Sequence, residues 1–192
     1  MNYVLSDSGD DTMTQSNANT SGAPATGIEP NVEATAIDFS QSTILIVDDN
    51  GQNIELLQAY LEPLGCQIET AYDGLEAMAR LEDAEKPLPD LILLDVMMPR
   101  MSGFEVCRKI KDDPGTRSIP VMMVTALNEL GDIERGVESG TDDFLTKPVN
   151  KLELVTRVKS MLRFRHLKRE LDRTMAYIQD IEQTRDGDAQ PE

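Results

Sequence analysis

Five short apolar runs, each closed by polar residues, alternate along this chain with segments whose apolar residues recur at helical spacing. The runs are Thr43–Val47, ending in Asp48-Asp49-Asn50, Cys66–Ala71, and Leu91–Leu94, ending in Asp95. They continue with Val121–Val124, ending in Thr125-Ala126, and Asp143–Thr146, ending in Lys147-Pro148. Cys66–Ala71 and Asp143–Thr146 are the two weaker runs; apolar runs bounded by polar residues suit strands buried on both faces. Between them, Ile54, Leu57, Leu61 and Leu64 form one helical stripe, with Asn50 as its cap. Leu75, Met78 and Leu81 form a second, Phe104, Cys107 and Ile110 a third, and Leu130, Ile133 and Val137 a fourth. A fifth helix starts at Asn150, where Glu153 stands at capping-box spacing. Strand and helix alternating in this way predict an α/β fold, a doubly wound parallel sheet with helices on both faces.

The flanks differ from this core. Residues 1–40 hold six acidic residues and no Lys or Arg, among many Ser, Thr, Asn, Ala and Gly. Such a segment buries too little apolar surface to offset its ordering entropy, so a disordered tail is expected. Residues 187–192 are expected to be disordered as well. The net charge of −17 argues against a dedicated nucleic-acid binder or a polybasic membrane anchor. There is no apolar run long enough for a transmembrane helix, and no basic region followed by an apolar run at the N-terminus, so a cytoplasmic protein is expected. Cys66 and Cys107 match neither a redox pair nor a zinc motif and read as buried small hydrophobes in a reducing compartment.

In an open α/β sheet, ligands bind outside the carboxyl ends of the strands. Asp48 and Asp49 follow the first strand, Asp95 the third, Thr125 the fourth and Lys147 the fifth. Three carboxylates brought together repel one another and call for a cation. Hard oxygen donors at an open site suit Mg²⁺, which keeps some of its waters and often shares a phosphate. Lys147 adds a positive charge and Thr125 a hydroxyl. Such a set suits phosphoryl transfer, where positioning and charge neutralisation are most of the catalysis. One carboxylate is then the nucleophile, and Asp95, central and alone at its strand end, is the candidate.

The segments Ile46-Val47-Asp48-Asp49-Asn50, Asp95-Val96-Met97-Met98-Pro99-Arg100-Met101-Ser102-Gly103, Val124-Thr125-Ala126 and Asp143-Phe144-Leu145-Thr146-Lys147-Pro148 resemble the bacterial response-regulator receiver family. The resemblance covers about residues 42–163. It implies a flavodoxin-like five-stranded sheet of order 2-1-3-4-5 and a phosphoryl group taken on Asp95 from a histidine kinase. It also implies Mg²⁺ organised by Asp48, Asp49 and Asp95 together with the backbone carbonyl of Met97. Thr125 and Lys147 are implied to contact the phosphate, and the bond before Pro148 to be cis. Phe144 matches the aromatic residue that, in the family, rotates into the space behind Thr125 when the hydroxyl moves inward. Phe has no hydroxyl, so any such change is read through packing.

The expected organisation is a receiver over 41–163 followed by a helical extension over 164–186. Helical sequence continues to about Thr184 and resembles the linker helices that join receivers to output enzymes. With few residues left after it, a receiver-only regulator is expected, its output coming from a downstream protein, from assembly or from phosphate flow itself. Within the extension, Phe164, Leu167, Leu171, Thr174, Ile178 and Ile181 follow the heptad seam spacing. They predict a coiled coil, read as parallel and two-stranded, and hence a homodimer. His166, the only histidine, lies outside any recognisable phosphorylation box and is expected to face solvent. The alternatives are a DNA-binding regulator using the basic stretch Arg157–Arg173, and an aspartate-nucleophile phosphatase. The second lacks the further Asp expected two residues after the nucleophile, where Met97 stands.

Overall fold

A computed structural model of the chain describes residues 38–126 and 130–187, with no account of the side chains of 130–133 and 182–187. Residues 1–37 of the expected tail, and all but the first of the expected C-terminal tail, therefore lie outside the described residues. So do the side chains of Leu130 and Ile133 in the fourth stripe. Five strands form one sheet: β1 (Thr43–Val47), β2 (Gln67–Ala71), β3 (Leu91–Leu94), β4 (Val121–Thr125) and β5 (Asp143–Thr146). Their order is β2-β1-β3-β4-β5, and every pairing is parallel. The helices between them are α1 (Gly51–Leu61), α2 (Gly74–Glu82), α3 (Gly103–Asp112) and α4 (Leu130–Glu138), and α5 (Lys151–Gly187) follows the last strand.

Alternate residues along each strand point to opposite faces, and both faces are covered. Leu45, Val47, Ile92, Leu94 and Met123 pack against Ala77 and Leu81 of α2 and Phe104, Cys107 and Ile110 of α3. Ile44, Ile46, Leu93 and Val124 pack against Ile54, Leu57 and Leu61 of α1 and Leu154, Val158 and Leu162 of α5. This two-sided burial is why β1, β3 and β4 read as solid apolar runs, whereas the edge strands β2 and β5 are partly exposed and mixed in sequence.

The caps follow local chemistry. The Asn50 side chain accepts from the Gln52 N–H at 2.9 Å, and the Asn150 side chain from the Glu153 N–H at 3.1 Å. The Glu153 carboxylate receives Arg157 at 3.0 and 2.9 Å. Ser102 and Glu105 make a complete capping box at the start of α3. The second stripe is corrected. It departs at Leu75, which is exposed, while Leu81 is buried and Met78 packs partly buried against the core; Gly74 and Ala77 are buried beside them, and Met101 and Val106 leave no room for a β-carbon at Gly74. Leu64 lies beyond α1 in a single 3-10 turn, Glu62–Leu64, and Val137 is exposed. Cys107 is buried as expected, while Cys66 is half-buried. Packing also reaches back to Phe39, which is buried against the α1–α5 face ahead of the expected boundary at residue 41.

Candidate phosphoryl-acceptor site

The carboxyl ends of β1, β3, β4 and β5 bring Asp48, Asp49, Asp95, Thr125 and Lys147 to one edge of the sheet. Oxygens of Asp48, Asp49 and Asp95 lie within 4.8 Å of one another. Asp48 and Asp95 are buried and Asp49 is exposed, so the cluster opens to solvent on one side. Lys147 Nζ stands 2.8 Å from Asp48 Oδ2 and 2.8 Å from Asp95 Oδ1. Thr125 is buried, and its carbonyl accepts the Lys147 N–H at 2.8 Å, which ties the ends of β4 and β5 together. The Lys147–Pro148 bond is cis.

Burial pushes the Asp95 carboxyl above its ordinary value; the hydrogen bond and charge of Lys147 pull it down, and Asp48 adds to the rise. Burial also works against the Lys147 ammonium, but its hydrogen bonds to Asp48 and Asp95 and their charges outweigh that and hold it above its ordinary value. One ammonium thus faces three carboxylates. The excess negative charge and the hard oxygen donors fit a small divalent cation better than any neutral ligand.

Further contacts hold these side chains in place, and of the residues that make them Asn53 carried no signal of its own. Asn53, in the first turn of α1, donates to both oxygens of Asp48 at 2.9 and 3.0 Å, and the Asn50 N–H donates to Asp48 Oδ1 at 2.9 Å. The Met97 N–H donates to Asp95 Oδ2 at 3.1 Å, so both Asp95 oxygens are held. Gly103 lies beneath that loop. A β-carbon there would strike the Asp95 carbonyl oxygen and sit 2.9 Å from Val96 Cα. Arg100 adopts a left-handed φ of 69° and pairs with Asp73, the cap of α2. An Asx cap such as Asp73 was visible in principle, but its Arg partner 27 residues away was not.

A family model described as the response regulator receiver domain matches residues 44–159. The chain belongs to the response-regulator receiver family.

Receivers accept a phosphoryl group on an aspartate in two-component signalling. The receiver here is 52% identical over 128 residues to response regulator PleD of Caulobacter vibrioides, covering 67% of this chain and 28% of that protein. It is 39% identical over 143 residues to the phosphate regulon transcriptional regulatory protein PhoB of Rhizobium meliloti, covering 74% of this chain and 61% of that one. The chain therefore spans less than two thirds of either relative. Among solved structures, the receiver domain of a signal transduction histidine kinase from Syntrophus aciditrophicus is 41% identical with a TM-score of 0.59, over 64% of this chain and 91% of that one. A BeF3-activated DrrB receiver domain is 31% identical with a TM-score of 0.56, over 64% of this chain and 98% of that one.

Phe144 of this receiver is partly buried, and its ring lies against Gly136 of α4. Its neighbour Asp143 is engaged by Arg157 of α5 at 2.8 and 2.9 Å. His166 departs from expectation. It is half-buried, with Nε2 2.9 Å from Ser42 Oγ and its ring edge-on to Phe39, because α5 runs across the amino ends of the strands there. Among the described residues, no helix is long and apolar enough to cross a membrane.

Proposed function

We propose that Asp95 accepts a phosphoryl group from a histidine kinase, a phosphotransfer protein or a small phosphodonor in the cytoplasm, and that phosphorylation switches the protein partners of the receiver. The observation that carries this reading is the Lys147 ammonium, 2.8 Å from both Asp48 and Asp95 and beside a third carboxylate. A carboxylate oxygen of Asp95 attacks phosphorus, and the donor leaves with the electron pair of its own bond. Asp48, Asp49, Asp95 and the Met97 carbonyl would hold Mg²⁺, which when bound supplies positive charge against the phosphoryl oxygens. Asn53 keeps Asp48 in place. Lys147 moves its hydrogen bonds from the carboxylates to a phosphoryl oxygen, and the Thr125 hydroxyl takes another. Movement of Thr125 opens room for Phe144, whose ring leaves Gly136 and carries the change to the α4–β5–α5 face.

The receiver is assigned to 41–163 and the interaction extension to 164–186. The DNA-binding alternative is less well supported, because three of the basic residues it would use are engaged within the chain. Arg157 pairs with Asp143, Arg165 donates to the Ser118 carbonyl at 2.7 Å, and Arg169 pairs with Asp90.

Incubation with acetyl phosphate and Mg²⁺, followed by intact-mass measurement, tests the assignment. One phosphoryl group is expected on the native chain and none on Asp95→Asn. Equal labelling of the variant overturns the role of Asp95, and sustained turnover of a phosphoester would move the protein to the phosphatase class.

A further inference from the structure

The last two turns of α5 that touch the receiver do so with one side of the helix. Arg165 reaches the Ser118 carbonyl, His166 meets Ser42, and Arg169 pairs with Asp90. At about 3.6 residues per turn, these three lie opposite the seam of Phe164, Leu167, Leu171, Thr174, Ile178 and Ile181. The seam is accordingly left to solvent, from 68% exposure at Phe164 to 41% at Ile181. From Glu170 to Ile181 every side chain is exposed. The receiver that anchors this helix cannot also cover its apolar side. The one polar member of the seam is already satisfied, since the Thr174 hydroxyl donates to the Glu170 carbonyl at 2.9 Å and leaves its methyl group to pack.

Charge decides what fits there. Residues 163–173 carry five basic and two acidic side chains, whereas 174–187 carry one basic and three acidic. A parallel pair would lay basic half on basic half and set Arg163 against Lys168 of the other copy, a like-charge contact across the seam flank. An antiparallel pair sets each basic half against an acidic half. In that register Phe164 meets the partner's Ile181, Leu167 the partner's Ile178, and Leu171 the partner's Thr174. The geometry points to an antiparallel pairing of α5 with α5 of a second copy of this chain, burying the seam from Phe164 to Ile181 over about 27 Å. The pairing replaces the parallel coil expected from seam spacing alone, and it is independent of the chemistry at Asp95.

Light scattering on the full chain is expected to give a dimer at micromolar concentration. Leu171→Asp with Ile178→Asp is expected to give a monomer that still takes a phosphoryl group from acetyl phosphate, showing an intact receiver. Orientation is read by oxidation in a Cys66→Ser background, Cys107 being buried. A mass-tagged Leu167→Cys chain mixed with an Ile178→Cys chain should form the mixed disulfide, and neither should cross-link to itself. Self-linking of Leu167→Cys overturns the antiparallel arrangement, and a full chain that stays monomeric overturns the pairing.

Discussion

The Phe144 ring occupies the space that a β-carbon on Gly136 would need. Ala in place of a helical Gly ordinarily stabilises by about 1 kcal/mol. Here the added methyl group meets the ring, and overpacking costs about 1–3 kcal/mol. Gly136→Ala alone should therefore lower the urea midpoint. In a Phe144→Ala background the same change should raise it, because the clash is gone and the propensity gain remains. Urea denaturation of the four proteins measures the coupling, and a midpoint that falls equally in both backgrounds would contradict the contact.

Asp95 makes a second expectation. Its folded-state pKa is raised above the ordinary 3.8, chiefly by burial. A raised carboxyl contributes stability that is present below 3.8 and is lost as pH rises through the folded value. At neutral pH, in metal-free buffer, the ionised group is a cost that Asp95→Asn removes. The variant should melt above the native chain at pH 7, and the gap should narrow as the pH falls toward the carboxylate range. Lys147, raised above its ordinary value, stays charged throughout this window and does not reverse the sign.

Divalent cation should invert that ranking. Ligand held at a hundredfold over its dissociation constant stabilises a fold by about 2.7 kcal/mol. Mg²⁺ should raise the melting temperature of the native chain by the equivalent amount. Asp49→Ala, which removes the exposed carboxylate of the cluster, should abolish most of the rise with little effect on the metal-free melt. An unchanged Mg²⁺ response in that variant would remove Asp49 from the ligand set.

Gly103 offers a purely steric test. Its missing side chain lets the backbone pass under Asp95, with its N–H donating to the Val96 carbonyl at 3.0 Å. Gly103→Ala presses on backbone rather than on a mobile side chain, so a loss of about 3 kcal/mol or more is expected. Labelling by acetyl phosphate should slow as well, since the Asp95 loop must shift. Thermal melts and labelling rates together check this, and a variant as stable and as fast as the native chain would show that the loop is not constrained there.

Much of the fold was legible along the chain because its signals are local. A strand buried on both faces must be apolar throughout, so Ile44–Val47 and Leu91–Leu94 announce themselves. The residue that ends such a strand is already at the ligand edge, which is why Asp48, Asp95, Thr125 and Lys147 are legible as one group along the chain. The seam of α5 was equally plain, because heptad spacing is a property of one helix. Only the tertiary structure decided what these residues touch. Asn53 becomes a brace for Asp48, and Gly103 the floor of the Asp95 loop, through contacts with no sequence periodicity. Ser42 and His166 meet across 124 residues, and Asp90 and Arg169 across 79. Those contacts fix which side of α5 belongs to the receiver and which side is left open. A linear pattern specifies which residues are apolar, but which of them remain uncovered depends on where the chain has already packed.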